Sequence, residues 1–183
     1  LTGTGPFTTL TLYATTDGLA HLVSLTSAAN ISALTATLVG TDADGQAQTE
    51  AVTCPNATTV YSTKYFKTLV SITMSATLGA NTMDVGIQDV SISQTIPINY
   101  AAWDFNSTQM VEVTGTINYT VQYTEGAIYD RQPSMLPWFN HATLAAKTAS
   151  LDGAITSPFR ALRLKINSLT AGATAVLTHL QGA

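Results

Sequence analysis

The sequence predicts an all-β fold, an antiparallel β-sandwich of jelly-roll or immunoglobulin-like type, on three observations. The first is residues 111–124, where Val111, Val113, Ile117, Tyr119, Val121 and Tyr123 share one parity and Glu112, Thr114, Thr116, Asn118, Thr120, Gln122 and Thr124 the other. Successive side chains of a strand point to opposite faces, so this segment reads as one strand with a buried and a wet side. The second is that this alternation recurs in short pieces along most of the chain, separated by Gly, Pro and Asn turns. The third is the scarcity of helix signals. Only 141–150, with Leu144, Ala145, Ala146 and Lys147, gathers good helix formers, and it suits a helical turn or a strand equally.

The elements follow in order. Leu10 and Leu12 alternate with threonines in a first strand, and His21, Val23 and Leu25 mark a second. Leu34, Ala36 and Leu38 lead into Thr41-Asp42-Ala43-Asp44-Gly45, whose Asp-Gly pair signals a hairpin into a polar strand at 46–53. Pro55-Asn56-Ala57 turns the chain. Val70, Ile72 and Met74 then alternate, the chain turns at 78–81, and Met83, Val85 and Ile87 return as a hairpin. Residues 90–98 read as a further strand ending on an edge at Pro97. Residues 99–109 lose the beat and read as a connection. After the long strand at 111–124, Leu162, Leu164 and Ile166 alternate, Thr170-Ala171-Gly172 turns, and Val176, Thr178 and Leu180 close the chain. Asp17-Gly18 and Asp152-Gly153 read as turn pairs.

Two stretches resemble each other. Phe66-Lys67 precedes the alternation from Val70, and Phe159-Arg160 precedes the one from Leu162, each followed by a Gly turn and an alternating return. This fits either a duplicated β-unit or two Greek-key halves. The expected organisation is a single sandwich over 1–183; the alternative is a first lobe at 1–93 and a second at 108–183 joined by 94–107. No period of about 20–50 residues appears, which disfavours a solenoid or propeller.

Composition narrows the function. Charged residues make up 10% of the 183, far below the usual level of about 25%. The polar surface must come from uncharged groups, 32 threonines among them. Such a surface suits packing against neighbours in an assembly. The net charge is −4 with seven scattered cations, so no nucleic-acid groove is expected. No apolar stretch reaches the roughly 18 residues of a membrane span, and no signal-peptide pattern is visible. Cys54 is the single cysteine, so the chain forms no internal disulfide, and folding in a reducing cytoplasm is expected. The Asn-x-Ser/Thr triplets at Asn30, Asn56, Asn106 and Asn118 follow from the abundance of Thr and Ser.

No catalytic, cofactor or metal motif is found. His21, His141 and His179 are too scattered for a metal-ligand motif, and His21 and His179 read as hydrogen-bonded strand residues. There is no Gly-x-Ser-x-Gly elbow and no phosphate cradle. Cys54, between Thr53 and Pro55, has no local histidine. Asp42, Asp44 and Gly45 resemble the start of a calcium loop, but its twelfth position is Thr53 instead of Glu. A non-enzymatic role is therefore expected. The candidate contact residues are Tyr129, Met135, Trp138 and Phe139, within an irregular excursion at 125–141 that is long for a compact domain. Tyr119, Tyr123, Tyr129, Trp138 and Phe139 could alternatively offer sugar-stacking faces, although Tyr119 and Tyr123 share the apolar parity of a core.

The run Pro137-Trp138-Phe139-Asn140-His141-Ala142-Thr143-Leu144, continuing through Ala146-Lys147-Thr148-Ala149 and Asp152-Gly153 to Ser157-Pro158-Phe159-Arg160-Ala161-Leu162-Arg163-Leu164, resembles the small β-rich structural proteins of tailed-bacteriophage virions. Tyr119 to Tyr123 fits the preceding strand of that pattern, and Leu38 to Gly45 with Thr49-Glu50 resembles sheet-building phage virion sequence. The likeness covers the C-terminal third and, more loosely, the N-terminal half. It implies a virion component, of capsid surface or tail alike, assembled in the host bacterial cytoplasm. The expected role is a capsid decoration or cement protein that touches the major capsid protein or other virion proteins and forms a homo-oligomer. A neck, tail or fibre component, or a carbohydrate-binding receptor-recognition module, is the alternative. The resemblance supplies no active site.

Overall fold

The computed structural model describes residues 12–14, 17–101 and 105–182. The expected strand residue Leu10 and the part of the 99–109 connection at 102–104 lie outside the described residues. The chain divides into two compact units, Leu1–Ser91 and Ile92–Ala183. Among the described residues the regular structure is antiparallel β-strand, apart from one 3-10 turn at Pro133–Met135.

The first unit contains β1 (Leu12–Ala14), β2 (Ala20–Thr26), β3 (Thr35–Thr41), β4 (Ala47–Thr53), β5 (Thr59–Phe66), β6 (Thr68–Met74) and all but the last residue of β7 (Asp84–Ile92). One sheet runs β1-β6-β3-β4; in the other, β2 lies between β7 and β5. Consecutive strands β2 and β3 thus pair with β5 and β6 in opposite sheets. Strands B with E and C with F are paired this way in an immunoglobulin sandwich. Val23, Leu25, Ala36, Leu38, Phe66, Leu69, Ile72 and Met74 fill the core between the sheets. The Asp-Gly hairpin forms as expected, with Gly45 at φ +80° and Asp42 Oδ1 accepting from the N–H groups of Asp44 and Gln46.

The second unit contains β8 (Ile96–Pro97), β9 (Asn106–Thr114), β10 (Ile117–Thr124), β11 (Phe139–Asn140), β12 (Leu151–Ile155), β13 (Ala161–Leu169) and β14 (Thr174–Gly182). Strand β13 lies between β8 and β10, and β11 borders β10; the other sheet runs β12-β9-β14. Strand for strand, this repeats the first unit, β8 corresponding to β1 and β14 to β7. Matching hydrogen bonds mark the correspondence: Lys67 N–H donates to Thr41 O at 2.9 Å, and Arg160 N–H to Thr124 O at 2.8 Å. In both units an aromatic–cation pair enters the sixth strand beside the end of the third. Phe66 and Phe159 are both buried.

Several sequence expectations are corrected. The strand read over 111–124 is two strands in different sheets, β9 and β10, broken where Gly115 takes φ +81°. Its polar parity is not uniformly wet, because Thr120, Gln122 and Thr124 are buried. The alternations at 70–87 and 162–180 are not hairpins, since β6 and β7, like β13 and β14, belong to different sheets. Val70 does not face the core; β6 pairs Leu69 with Gly40 and Ser71 with Val39, so Val70 bulges out at 54% exposure. The strand expected at 90–98 divides between the end of β7 and the short β8. Asp152-Gly153 lies inside β12 and forms no turn. Residues 141–150 form neither helix nor strand beyond an isolated bridge between Lys147 and Tyr119.

Candidate functional site

Arg163 on β13 holds the 125–141 excursion against the second unit. Its Nε donates to Gln122 Oε1 at 2.8 Å, and Gln122 Nε2 donates to Asn140 Oδ1 at 2.9 Å. This row fixes the guanidinium over the Trp138 ring, 4.1 Å from its centroid. Trp138 Nε1 also donates to Pro133 O at 2.9 Å. Leu136 is buried as the apolar plug of the loop, against a Gly126 whose added Cβ would meet Leu136 Cδ2 at 2.8 Å. Phe139 is anchored through β11 and meets Tyr123 at 5.8 Å between centroids.

Of the four candidate contact residues, three point outward: Tyr129 is 78% exposed, Met135 69% and Phe139 48%. Trp138 is half-buried and acts as a fastener, with one ring face covered by Arg163. Tyr119, a possible stacking platform in the sequence, is fully buried, and its hydroxyl donates to Ala149 O.

Outward apolar residues also occupy the β12-β9-β14 sheet. Register places Met110 opposite Thr178 and Glu112 opposite Val176. Val176 and Leu180, which continue the apolar beat of the sequence, face outward at 54% and 67% exposure. Sequence reasoning missed this surface because apolar alternation marks a face without saying which way it looks.

Polar groups do converge inside the second unit. Gln109 on β9 is fully buried; its Nε2 donates to Ser107 Oγ at 2.7 Å and lies 3.4 Å from His179 Nδ1. His141 Nε2 meets Gln109 Oε1 at 3.2 Å, while its Nδ1 accepts from the N–H groups of Thr143 and Leu144. Burial holds both histidines below the ordinary imidazole range, although a hydrogen bond with Gln181 partly opposes this at His179. These histidines are distant in sequence, and no local signal reveals that they meet. In the first unit His21 Nδ1 lies 2.7 Å from Gln88 O and its Nε2 2.9 Å from Asp17 Oδ2, on the half-open Asp17-Gly18 turn.

Burial pushes the Cys54 thiol up, outweighing a backbone hydrogen bond from Ala36, and so disfavours the thiolate. A depression between β9 and β12 brings Glu112 and Asp152 to one surface, but its lining holds no histidine or cysteine. Among the described residues no three His, Cys, Asp or Glu side chains gather to hold a metal ion, and no helix is long and apolar enough to cross a membrane. No protein-family model, curated protein or solved structure matches the chain.

Proposed function

We propose that this chain is a non-enzymatic structural protein of a tailed-bacteriophage virion, specifically a decoration or cement protein that stabilises the head by binding its subunits. The observation that carries the reading is the outward display of Tyr129, Met135 and Phe139 on a loop already fastened through Trp138 and Arg163. A loop ordered before contact loses little conformational entropy on binding, and large apolar anchors dominate interface energies. The low charge and the resemblance of 137–164 to phage virion sequence point the same way.

The test is incorporation into heads formed by the major capsid protein of the same genome. The chain is expected to bind over the whole shell. Tyr129→Ala with Met135→Ala should retain the β circular-dichroism spectrum but lose about 2 kcal/mol or more of binding, roughly thirtyfold in affinity. Undiminished incorporation of a folded double variant rejects this contact surface. Absence from purified particles rejects the virion reading. A single ring of copies places the protein in neck or tail, and specific binding on a glycan array favours the receptor-recognition alternative.

A further inference from the structure

We propose that β14 pairs, antiparallel and about a two-fold axis at Thr178, with β14 of a second copy of this chain. Strand β14 ends its sheet, so one side of its backbone is paired to β9, and among the described residues no strand pairs with the N–H and C=O groups of the other side. Exposed edges of this kind recruit other strands unless charge, proline, a bulge or shortness prevents it. None of these protections is present on β14. Its nine residues, Thr174–Gly182, include no charged residue and no proline, and the ladder to β9 runs from Thr174 to Gly182 without a register shift. The other outer strands differ: β4 carries Glu50, β5 Lys64 and β12 Asp152, while β11 has two residues, β8 two with a proline, and β1 three.

The side chains identify the occupant. Directly opposed residues of an antiparallel pair share a face. Centring the pair on Thr178 overlaps all nine residues and places Val176 of each copy opposite Leu180 of the other. These are the two large apolar residues of β14 that the isolated chain leaves 54% and 67% exposed. On the same face the two Thr178 side chains meet at the axis, a pairing that stabilises cross-strand contacts. On the opposite face Leu177 meets His179, and no charge confronts a like charge anywhere along the pair. The patch is thus complementary to itself, as a closed two-fold interface requires. The resulting continuous sheet has six strands, three from each copy. The inference stands on this strand alone and is independent of the virion reading.

Light scattering of the full chain after size exclusion tests it. The expected mass is twice the chain mass of 19.2 kDa. Thr178→Lys and Thr178→Glu each place like charges about 5 Å apart at the axis, so each variant alone should have half the wild-type mass. An equimolar mixture of the two should regain the doubled mass. Circular dichroism controls for folding; should the Thr178 variants misfold, Val176→Lys and Leu180→Glu replace them, each alone breaking the pair and both in one chain restoring it. Wild-type protein that keeps the single-chain mass at its highest soluble concentration overturns the proposal. A doubled mass that survives folded Thr178→Lys overturns it as well, because the copies then meet elsewhere.

Discussion

His141 is read by hydrogen bonds that settle its proton. Its Nδ1 accepts from two backbone N–H groups, so that nitrogen is bare and Nε2 carries the hydrogen given to Gln109 Oε1. A second proton would confront those N–H donors in a site where the residue is 2% exposed. Gly153 leaves room for the ring, since an added Cβ there would lie 2.6 Å from His141 Cε1. Burial lowers the folded affinity of His141 and His179 for protons, whereas the unfolded chain binds them near the ordinary value of about 6.5. The stabilisation is therefore complete above about pH 6.5 and is lost as pH falls from there to the folded pKa values. The slope is at most about 1.4 kcal/mol per pH unit for each histidine. The urea midpoint of the second unit should fall between about pH 7 and about pH 5, and His141→Gln should flatten that fall. Equal midpoints at both pH values would show that the histidines titrate alike in folded and unfolded chain.

Strands differ in how openly they announce themselves. β2 and β3 alternate cleanly and bury their apolar parity, so both were legible. β5 was not, because its pairing to β2 slips between Leu22 and Ser24, and polar Ser62 takes a buried place. Ser62 Oγ instead accepts from Val23 N–H at 2.8 Å, a substitute partner that no hydrophobic pattern reports. β12 was hidden by Asp152-Gly153, whose glycine serves the His141 ring instead of a turn. The excursion was legible as a contact candidate from its length and aromatics, but the fastening of Trp138 depends on Arg163, which is remote in sequence. Likewise the link between the outer strands β4 and β5 passes through side chains: Gln48 Nε2 donates to Tyr65 O, Lys64 Nζ donates to Thr49 O at 2.8 Å, and Glu50 makes the largest set of bonds. Glu50 Oε1 accepts from Thr63 N–H and Oγ1, and Oε2 from Lys64 N–H at 2.9 Å, joining the two sheets of the first unit at their edge. Glu50→Ala removes all three bonds on a partly exposed rim, so a loss of about 1 kcal/mol is expected. Glu50→Gln should recover part of it, because an amide oxygen accepts without charge. Chemical denaturation of the three proteins checks the order; an unchanged Glu50→Ala variant would mean that water replaces the carboxylate at no cost.

At the scale of the chain, the aromatic–cation echo about 93 residues apart now has a structural content. Phe66-Lys67 and Phe159-Arg160 enter equivalent strands through equivalent backbone hydrogen bonds, and each unit carries the same seven-strand pairing scheme. Each also encloses apolar residues of its own: Leu25, Leu38, Phe66 and Ile72 in the first, Val111, Val121, Phe159 and Leu162 in the second. The polar interior is not repeated, since the Ser107–Gln109–His141–His179 network belongs to the second unit alone. A pairing scheme kept twice while buried polar groups diverge is the pattern expected of a duplicated unit whose copies must each fold. About 90 residues suffices for an immunoglobulin-sized sandwich. Residues 92–183 made alone should therefore give a cooperative thermal transition and a β circular-dichroism spectrum, and residues 1–91 likewise. The second fragment should retain the acid sensitivity assigned to His141 and His179. If both fragments are unfolded while the whole chain is cooperative, the units complete each other, and the repeated topology reflects ancestry without autonomy. If 92–183 folds but resists acid down to about pH 5 as well as it does at about pH 7, the histidine network loses its assigned role while the division into units survives.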